Sequence, residues 1–306
     1  MRVLEALDAQ AVRRWYEWGL AALDATRDEI NSLNVFPVPD ADTGTNLHLT
    51  LQSAVEPSDG AAMVGRRAAG GAPAPGRATA PGSASAAGGA DLASTATEMA
   101  RLSLLGARGS SGVILSQLLR GVAEVLAAER RPPRGIGLTR ALERASTLAY
   151  TAVSHPVEGT MLTVARAAAE AARATASDDL HTVVDTAVRA AHRALAETPR
   201  QLDVLGRAGV VDAGGRGVVV LLDVLQAVVD EQPLPKPERA IAHPRLDLLD
   251  PGGSGQAGGV QAYEVMFLLD AADERIAGLR ADLDRIGDSV VVSGGGGLWN
   301  VHVHTA

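Results

Sequence analysis

Asp40 and Asp42 stand one residue apart in Pro39-Asp40-Ala41-Asp42-Thr43-Gly44-Thr45-Asn46. In an extended segment residues i and i+2 face the same way, so both carboxylates reach one cation. Mg²⁺ takes hard oxygen ligands, usually one or two carboxylates together with substrate phosphates. Thr43-Gly44-Thr45-Asn46 then opens a helix, whose unpaired N–H groups and dipole favour an anion. Asn34, ahead of Pro37 and Pro39, adds an amide oxygen for the same cation. The alternative use of these residues is an Asx-type turn with a helix N-cap.

Gly106-Ala107-Arg108-Gly109-Ser110-Ser111-Gly112 is a second glycine-rich helix start. Its glycines allow close approach of backbone to phosphate and its two hydroxyls can donate; a capped, glycine-kinked buried helix is the alternative. Gly209-Val210-Val211-Asp212-Ala213-Gly214-Gly215 is a third such start, with Asp212 either an acceptor for a base or ribose or a turn residue. Pro156-Val157-Glu158-Gly159-Thr160-Met161 is a fourth, of low specificity. His302 and His304 share one face of an expected strand, a usable metal pair, against the alternative of unrelated solvent-facing histidines.

The inventory excludes other chemistry. There is no cysteine, hence no disulfide, thiolate metal site or thiol nucleophile. All but one of the 28 Lys and Arg residues are arginine, and the one lysine, Lys236, lies between two prolines. A Walker A loop and Schiff-base chemistry are thereby removed. No G-x-S-x-G or H-E-x-x-H occurs. A net charge of −8 argues against nucleic acid or an anionic membrane as partner. The N-terminus has no signal-peptide pattern and no apolar run of membrane-spanning length is evident, so the expected location is the cytoplasm.

The elements that must position these residues read as follows. Apolar residues at helical spacing run through 2–33, and a helical pattern resumes at 47–55. Residues 58–92 are Ala, Gly, Pro and Ser with little to bury, which predicts a flexible insertion. Helical patterns follow at 92–105, 113–128, 137–153, 160–176, 180–196 and 216–230. Residues 233–259, rich in Pro and Gly, read as a linker. Beyond it the pattern predicts a strand at 263–269, a helix at 273–286, strands at 289–292 and 298–304, and a glycine turn between them.

Taken in order, Asn34-Val-Phe-Pro-Val-Pro-Asp-Ala-Asp-Thr-Gly-Thr-Asn46, Gly106 to Gln117, Pro156 to Val164 and Gly209 to Gly215 resemble the catalytic component of bacterial fatty acid kinase. Its N-terminal part belongs to the dihydroxyacetone kinase L-subunit (DhaL) family. The resemblance covers the chain apart from 58–92 and 233–259. It implies a mainly α protein: an antiparallel helical barrel at 1–232 binding ATP with two Mg²⁺ ions, then a small, incomplete α/β middle domain at 260–306. By position, Asp40 and Asp42 match the metal-binding aspartates, and Thr43, Gly44, Thr45 and Asn46 match the turn beside the phosphates. Gly109, Ser110, Ser111 and Gly112 match the second phosphate loop, with Thr160, Met161 and Asp212 near the nucleoside.

The resemblance also implies a fatty acid carboxylate as acceptor, held by a separate binding protein, and a homodimer formed through the middle domain. The other branch of the family implies phosphotransfer to dihydroxyacetone. The third alternative is a catalytically silent nucleotide-binding or dimerisation module, because the chain stops within the middle domain. Three departures stand out. Glu264 replaces the cysteine that joins the two histidines on zinc, leaving Glu264, His302 and His304 as a Zn²⁺ set. Ser110 replaces an asparagine. Ala41 replaces the glycine of Asp-Gly-Asp, which requires a negative φ at that residue.

Overall fold

Alanine, valine and leucine supply most of the buried side chains, as the scarcity of aromatics requires, and they do so on helices. The computed structural model describes residues 3–56, 84–234 and 263–305. The helices are α1 (Ala9–Ser32), α2 (Thr43–Val55), α3 (Ala84–Leu105), α4 (Gly109–Ala128) and α5 (Gly135–Ala152). They continue as α6 (Met161–Thr175), α7 (Leu180–Gln201), α8 (Asp203–Ala208) and α9 (Ala213–Val229).

Each long helix packs on the next in sequence. The last, α9, packs on both α7 and α1, so the series closes into a ring. Leu23 and Ile30 of α1, Leu47 and Leu51 of α2 and Leu115 of α4 point into its core, each almost fully buried. A side chain so buried contributes ~1.5–3 kcal/mol. Asp8 caps α1 by accepting from the Ala11 N–H at 2.8 Å, and the Trp15 indole N–H donates to the Leu221 carbonyl at 2.8 Å, tying α1 to α9.

Several expected boundaries move. α3 begins at Ala84, so the expected insertion does not run to residue 92; Ala84, Ala86, Ala87 and Ala90 favour the helix, Gly88 and Gly89 oppose it, and the stretch offers little to bury. The rest of that segment, residues 58–83, lies outside the described residues, as do residues 235–259 of the expected linker. α7 runs on through Pro199, and the unforeseen α8 ends at Gly209 in a left-handed conformation (φ +70°). α4 also corrects the expectation on apolar runs: it is long and apolar enough to cross a membrane, yet 61% of that stretch is buried inside the protein.

A three-stranded antiparallel sheet follows, in the order β1 (Tyr263–Asp270), β3 (Leu298–Thr305), β2 (Gly287–Gly295). A 3₁₀ turn (Asp273–Arg275) and α10 (Ile276–Ile286) connect β1 to β2. Register divides the side chains. Glu264 pairs with His304, Met266 with His302, Val291 with His302 and Ser293 with Asn300, so these share one face. Val290, Val292, Val301 and Val303 take the other face, where Ile276 and Leu283 of α10 pack on them as a small separate core.

The first face lies against the helical ring. Val291 packs with Ala107, Val113 and Ala152, and a lone antiparallel bridge joins Val153 to Val291.

Candidate functional site

The turn between α1 and α2 brings Asp40 and Asp42 together by a route other than the expected one. Ala41 has φ +56°, so the segment is a left-handed turn, not an extended strand, and the requirement of a negative φ is not met. Such a conformation costs a non-glycine residue roughly 1–2 kcal/mol. Asn34 holds the turn from within: its Nδ2 donates to Asp40 Oδ1 at 2.5 Å and to the Val38 carbonyl at 3.2 Å. Its Oδ1 accepts from the Thr43 hydroxyl at 2.9 Å. Asn34 thus braces Asp40 and lines the cleft, and its Oδ1, which accepts one bond from Thr43, keeps a second lone pair.

Asp42 occupies the N-cap position of α2 but its side chain makes no capping bond. Its carboxylate instead accepts from Asn46 Nδ2 at 2.7 Å. Burial pushes its pKa up to about 6; the Asn46 bond lowers it, and the charges of Asp40 and Glu264 raise it further. Both carboxylates line one cleft, where they could hold a divalent cation.

The opposite wall is the start of α4. Gly109 takes φ +57°, and a Cβ there would sit 2.2 Å from Asn46 Nδ2. Only glycine lets the two helix starts approach so closely. The first-turn N–H groups of α4 have no intrahelical acceptor and open onto the same space, with Ser110 and Ser111 beside them. A cleft of about 290 Å³, including space open to solvent, is lined by Asn34, Pro37, Val38, Asp40, Asp42, Thr43, Asn46, Gly109, Ser110, Ser111, Glu264, His302 and His304.

The last three come from the sheet. One ligand atom from each of Glu264, His302 and His304 lies within 4.8 Å of the others. His302 is 1% exposed, and neither ring nitrogen has a hydrogen-bond partner. Glu264 Oε1 lies 3.3 Å from its Nδ1 without hydrogen-bond alignment. Burial, and secondarily His304, depress the His302 pKa to about 4, so its imidazole is neutral and able to ligate at neutral pH. Two imidazoles and a carboxylate suit Zn²⁺ and leave a coordination position open.

Other expected site residues serve packing or capping. Gly44 lets α2 approach the Arg27 carbonyl of α1, where a Cβ would sit at 2.3 Å. Thr45 is held by Asn31, its N–H donating to Asn31 Oδ1 and its hydroxyl accepting from Asn31 Nδ2, both at 3.1 Å. Gly112 makes room for Thr50 of α2. Thr160 caps α6. Asp212 caps α9, accepting from Gly215 N–H at 2.7 Å. It is 5% exposed, and burial pushes its pKa up to about 7 against the lowering effect of N–H donors from Gly215 and Met161. Thr160, Met161 and Asp212 form a group of their own and do not line the cleft. Sequence reasoning missed Pro37 and Val38 as wall residues and Asn31 as the support of Thr45; polar spacing across a helix–turn–helix was the available signal.

Comparison with known proteins identifies two domains in the chain. Residues 78–227 match the DAK2 domain, and residues 260–306 match the middle domain of FakA-like fatty acid kinase proteins. The chain belongs to the family that joins these two domains. It is 30% identical to Protein YloV of Bacillus subtilis, covering 98% of this chain and 52% of that protein. It is 33% identical to an uncharacterized protein of Staphylococcus haemolyticus (94% and 49%) and 32% identical to one of Staphylococcus aureus (94% and 49%). The chain thus spans about half the length of these curated relatives. As a member of this family it is kinase-related.

Proposed function

We propose that this chain is the ATP- and Mg²⁺-dependent part of a phosphotransferase that phosphorylates a fatty acid carboxylate presented by a separate carrier protein. The observation that carries the reading is Asp42. It sits at a helix N-terminus without capping it, and converges with Asp40 on a cleft whose far wall is the open start of α4. Two Mg²⁺ ions held by Asp40 and Asp42, when bound with ATP, would neutralise charge developing on the transferred phosphoryl group.

The chain's own residues do the positioning. Asn34 and Asn46 fix the two carboxylates, Gly109 allows backbone to approach a phosphate, and Ser110 and Ser111 supply donors beside it. A carboxylate acceptor has no proton to remove at neutral pH, so no general base is required. The sheet carries Glu264, His302 and His304 to the same cleft, where a Zn²⁺ ion fits their donor set. The exposed apolar residues Tyr263, Val265 and Phe267, on the sheet face turned away from the ring, suit a homodimer contact.

Phosphotransfer to dihydroxyacetone is the second reading, favoured by the DAK2 match. Calorimetric titration of a non-hydrolysable ATP analogue with and without Mg²⁺ tests the site, using the wild type and Asp40→Asn/Asp42→Asn. Mg²⁺-dependent binding lost in the double variant is expected. Turnover assays with fatty-acid-loaded carrier or with dihydroxyacetone then separate the two acceptors. Absence of nucleotide binding in the wild type overturns both readings and leaves a structural module.

A further inference from the structure

The helical ring and the sheet have separate apolar cores, and the apolar contact between them is small, centred on Val291 against Ala107, Val113 and Ala152. Hydrogen bonds do the rest. Asn300 Nδ2, buried, donates to the Leu104 carbonyl at 3.1 Å. That carbonyl belongs to the last turn of α3, immediately before the glycine turn that walls the cleft. Arg120 of α4 donates to the Gly294 carbonyl, Arg280 to the Thr151 carbonyl, and Ser154 N–H to the Val290 carbonyl at 3.1 Å.

The joint is also incompletely satisfied. Gln117 Nε2, Ser154 Oγ, Ser293 Oγ and Asn300 Oδ1 are buried at or beside it without partners. Each such group costs about 1–3 kcal/mol. A joint of modest apolar area that also carries this burden depends heavily on the few bonds it does make.

Those bonds are in register with the cleft. On α4, residues 113, 117 and 120 fall on one face, and the helix rises ~1.5 Å per residue, so Val113 and Arg120 are ~10 Å apart along it. Val291 and Gly294 span ~10 Å of strand. Strand β2 therefore lies along α4 between two fixed contacts. The neighbouring strand β3 carries Asn300, His302 and His304 on the same face of the sheet.

We propose that Asn300 and Arg120 are positioning residues: they set the sheet's height and register on α3 and α4, and so hold Glu264, His302 and His304 over Asp40 and Asp42. This rests on the phosphotransferase reading of the cleft. Neither residue lines the cleft, so their loss moves the sheet's contribution and leaves the aspartates in place.

The chain has no cysteine, which makes a cross-linking test clean. Val153 and Val291 are bridge partners, and paired strand residues have Cα separations of roughly 4.5–5.5 Å, within disulfide range. The disulfide of Val153→Cys/Val291→Cys is expected to form readily, and about fivefold or more slowly when Arg120→Ala or Asn300→Ala is added. In the cysteine-free background, Arg120→Ala and Asn300→Ala should each keep Mg²⁺-nucleotide affinity within about twofold and KM for ATP unchanged, while kcat falls about tenfold or more. Oxidising the cysteine pair in Arg120→Ala should restore kcat, and reducing it should remove the gain.

Arg120→Ala, at a partly exposed residue, serves if Asn300→Ala fails to fold. Equal cross-linking with and without Arg120→Ala or Asn300→Ala, or unchanged kcat in Arg120→Ala, overturns the proposal. If the wild type binds Mg²⁺-nucleotide but transfers no phosphoryl group, the phosphotransferase reading falls. The cross-linking rates then decide the positioning claim alone.

Discussion

Asn34 donates to Asp40 through Nδ2 while its Oδ1 accepts from Thr43, so one buried amide spans the turn from its first carboxylate to the first residue of α2. The amide's two ends have opposite polarity, and each meets the partner it requires. Asn34→Ala removes both bonds and leaves Asp40 to swing into solvent. Mg²⁺-nucleotide affinity should fall about tenfold, measured by calorimetry, with a stability loss of about 1–2 kcal/mol in urea unfolding. Asn34→Asp keeps the acceptor but faces Asp40 with a second charge, and should bind nucleotide no better than the alanine variant.

Gly109→Ala meets two obstacles, the left-handed backbone and Asn46 Nδ2 at 2.2 Å from the new Cβ. Asn46 must move, and it is the hydrogen-bond donor to Asp42. The expected result is loss of Mg²⁺-dependent nucleotide binding by at least about tenfold, with destabilisation of roughly 1–2 kcal/mol. Gly112→Ala, which would strike Thr50, should affect stability more than binding.

Ala41→Gly should act in the opposite sense. Glycine relieves the left-handed strain at φ +56° and returns part of the gain as unfolded-state entropy. A net gain of about 0.5–1 kcal/mol is expected, seen as a raised Tm with nucleotide affinity unchanged.

Asp212 predicts a pH dependence. Its folded pKa, about 7, lies above the ordinary carboxylate value of 3.8, so the folded state holds a proton that the unfolded state releases. Stability from this group is fully present below pH 3.8, is lost as pH rises, and is gone above about 7. Urea midpoints from pH 4 to 8 should fall for wild type relative to Asp212→Asn, whose amide oxygen still accepts from Gly215. Parallel curves for the two proteins would show that Asp212 is ionised throughout.

What the sequence makes legible is local. Asp40, Asp42, Asn46, Gly109 and Ser110 are recognisable because residue type and short spacing encode a turn and two helix starts. The placement of His302 and His304 on one face follows from strand alternation. The left-handed turn at Ala41 is not legible from the alanine itself; the glycine that the resembled family has there is its signal, and Asn34 braces the turn from six residues before Asp40. The early start of α3 is hidden by composition: Gly88 and Gly89 weaken the helix signal of the alanines around them, and the stretch has no apolar periodicity.

Least legible is the seating of the sheet on α4. Arg120 and Gly294 are 174 residues apart, and no periodicity in either segment refers to the other.

Helix α4 begins at the turn that lines the cleft and carries, from about one to three turns on, the contacts that seat the sheet. The first three turns of that helix therefore serve the cleft and the sheet together. A lineage that enlarges residue 113, 117 or 120 must shrink or shift residue 291, 293 or 294 to keep the histidines in place. Such exchanges should recur as matched pairs among relatives, whereas Asp40 and Asp42 tolerate no compensating partner and should vary only in lineages that have abandoned the chemistry.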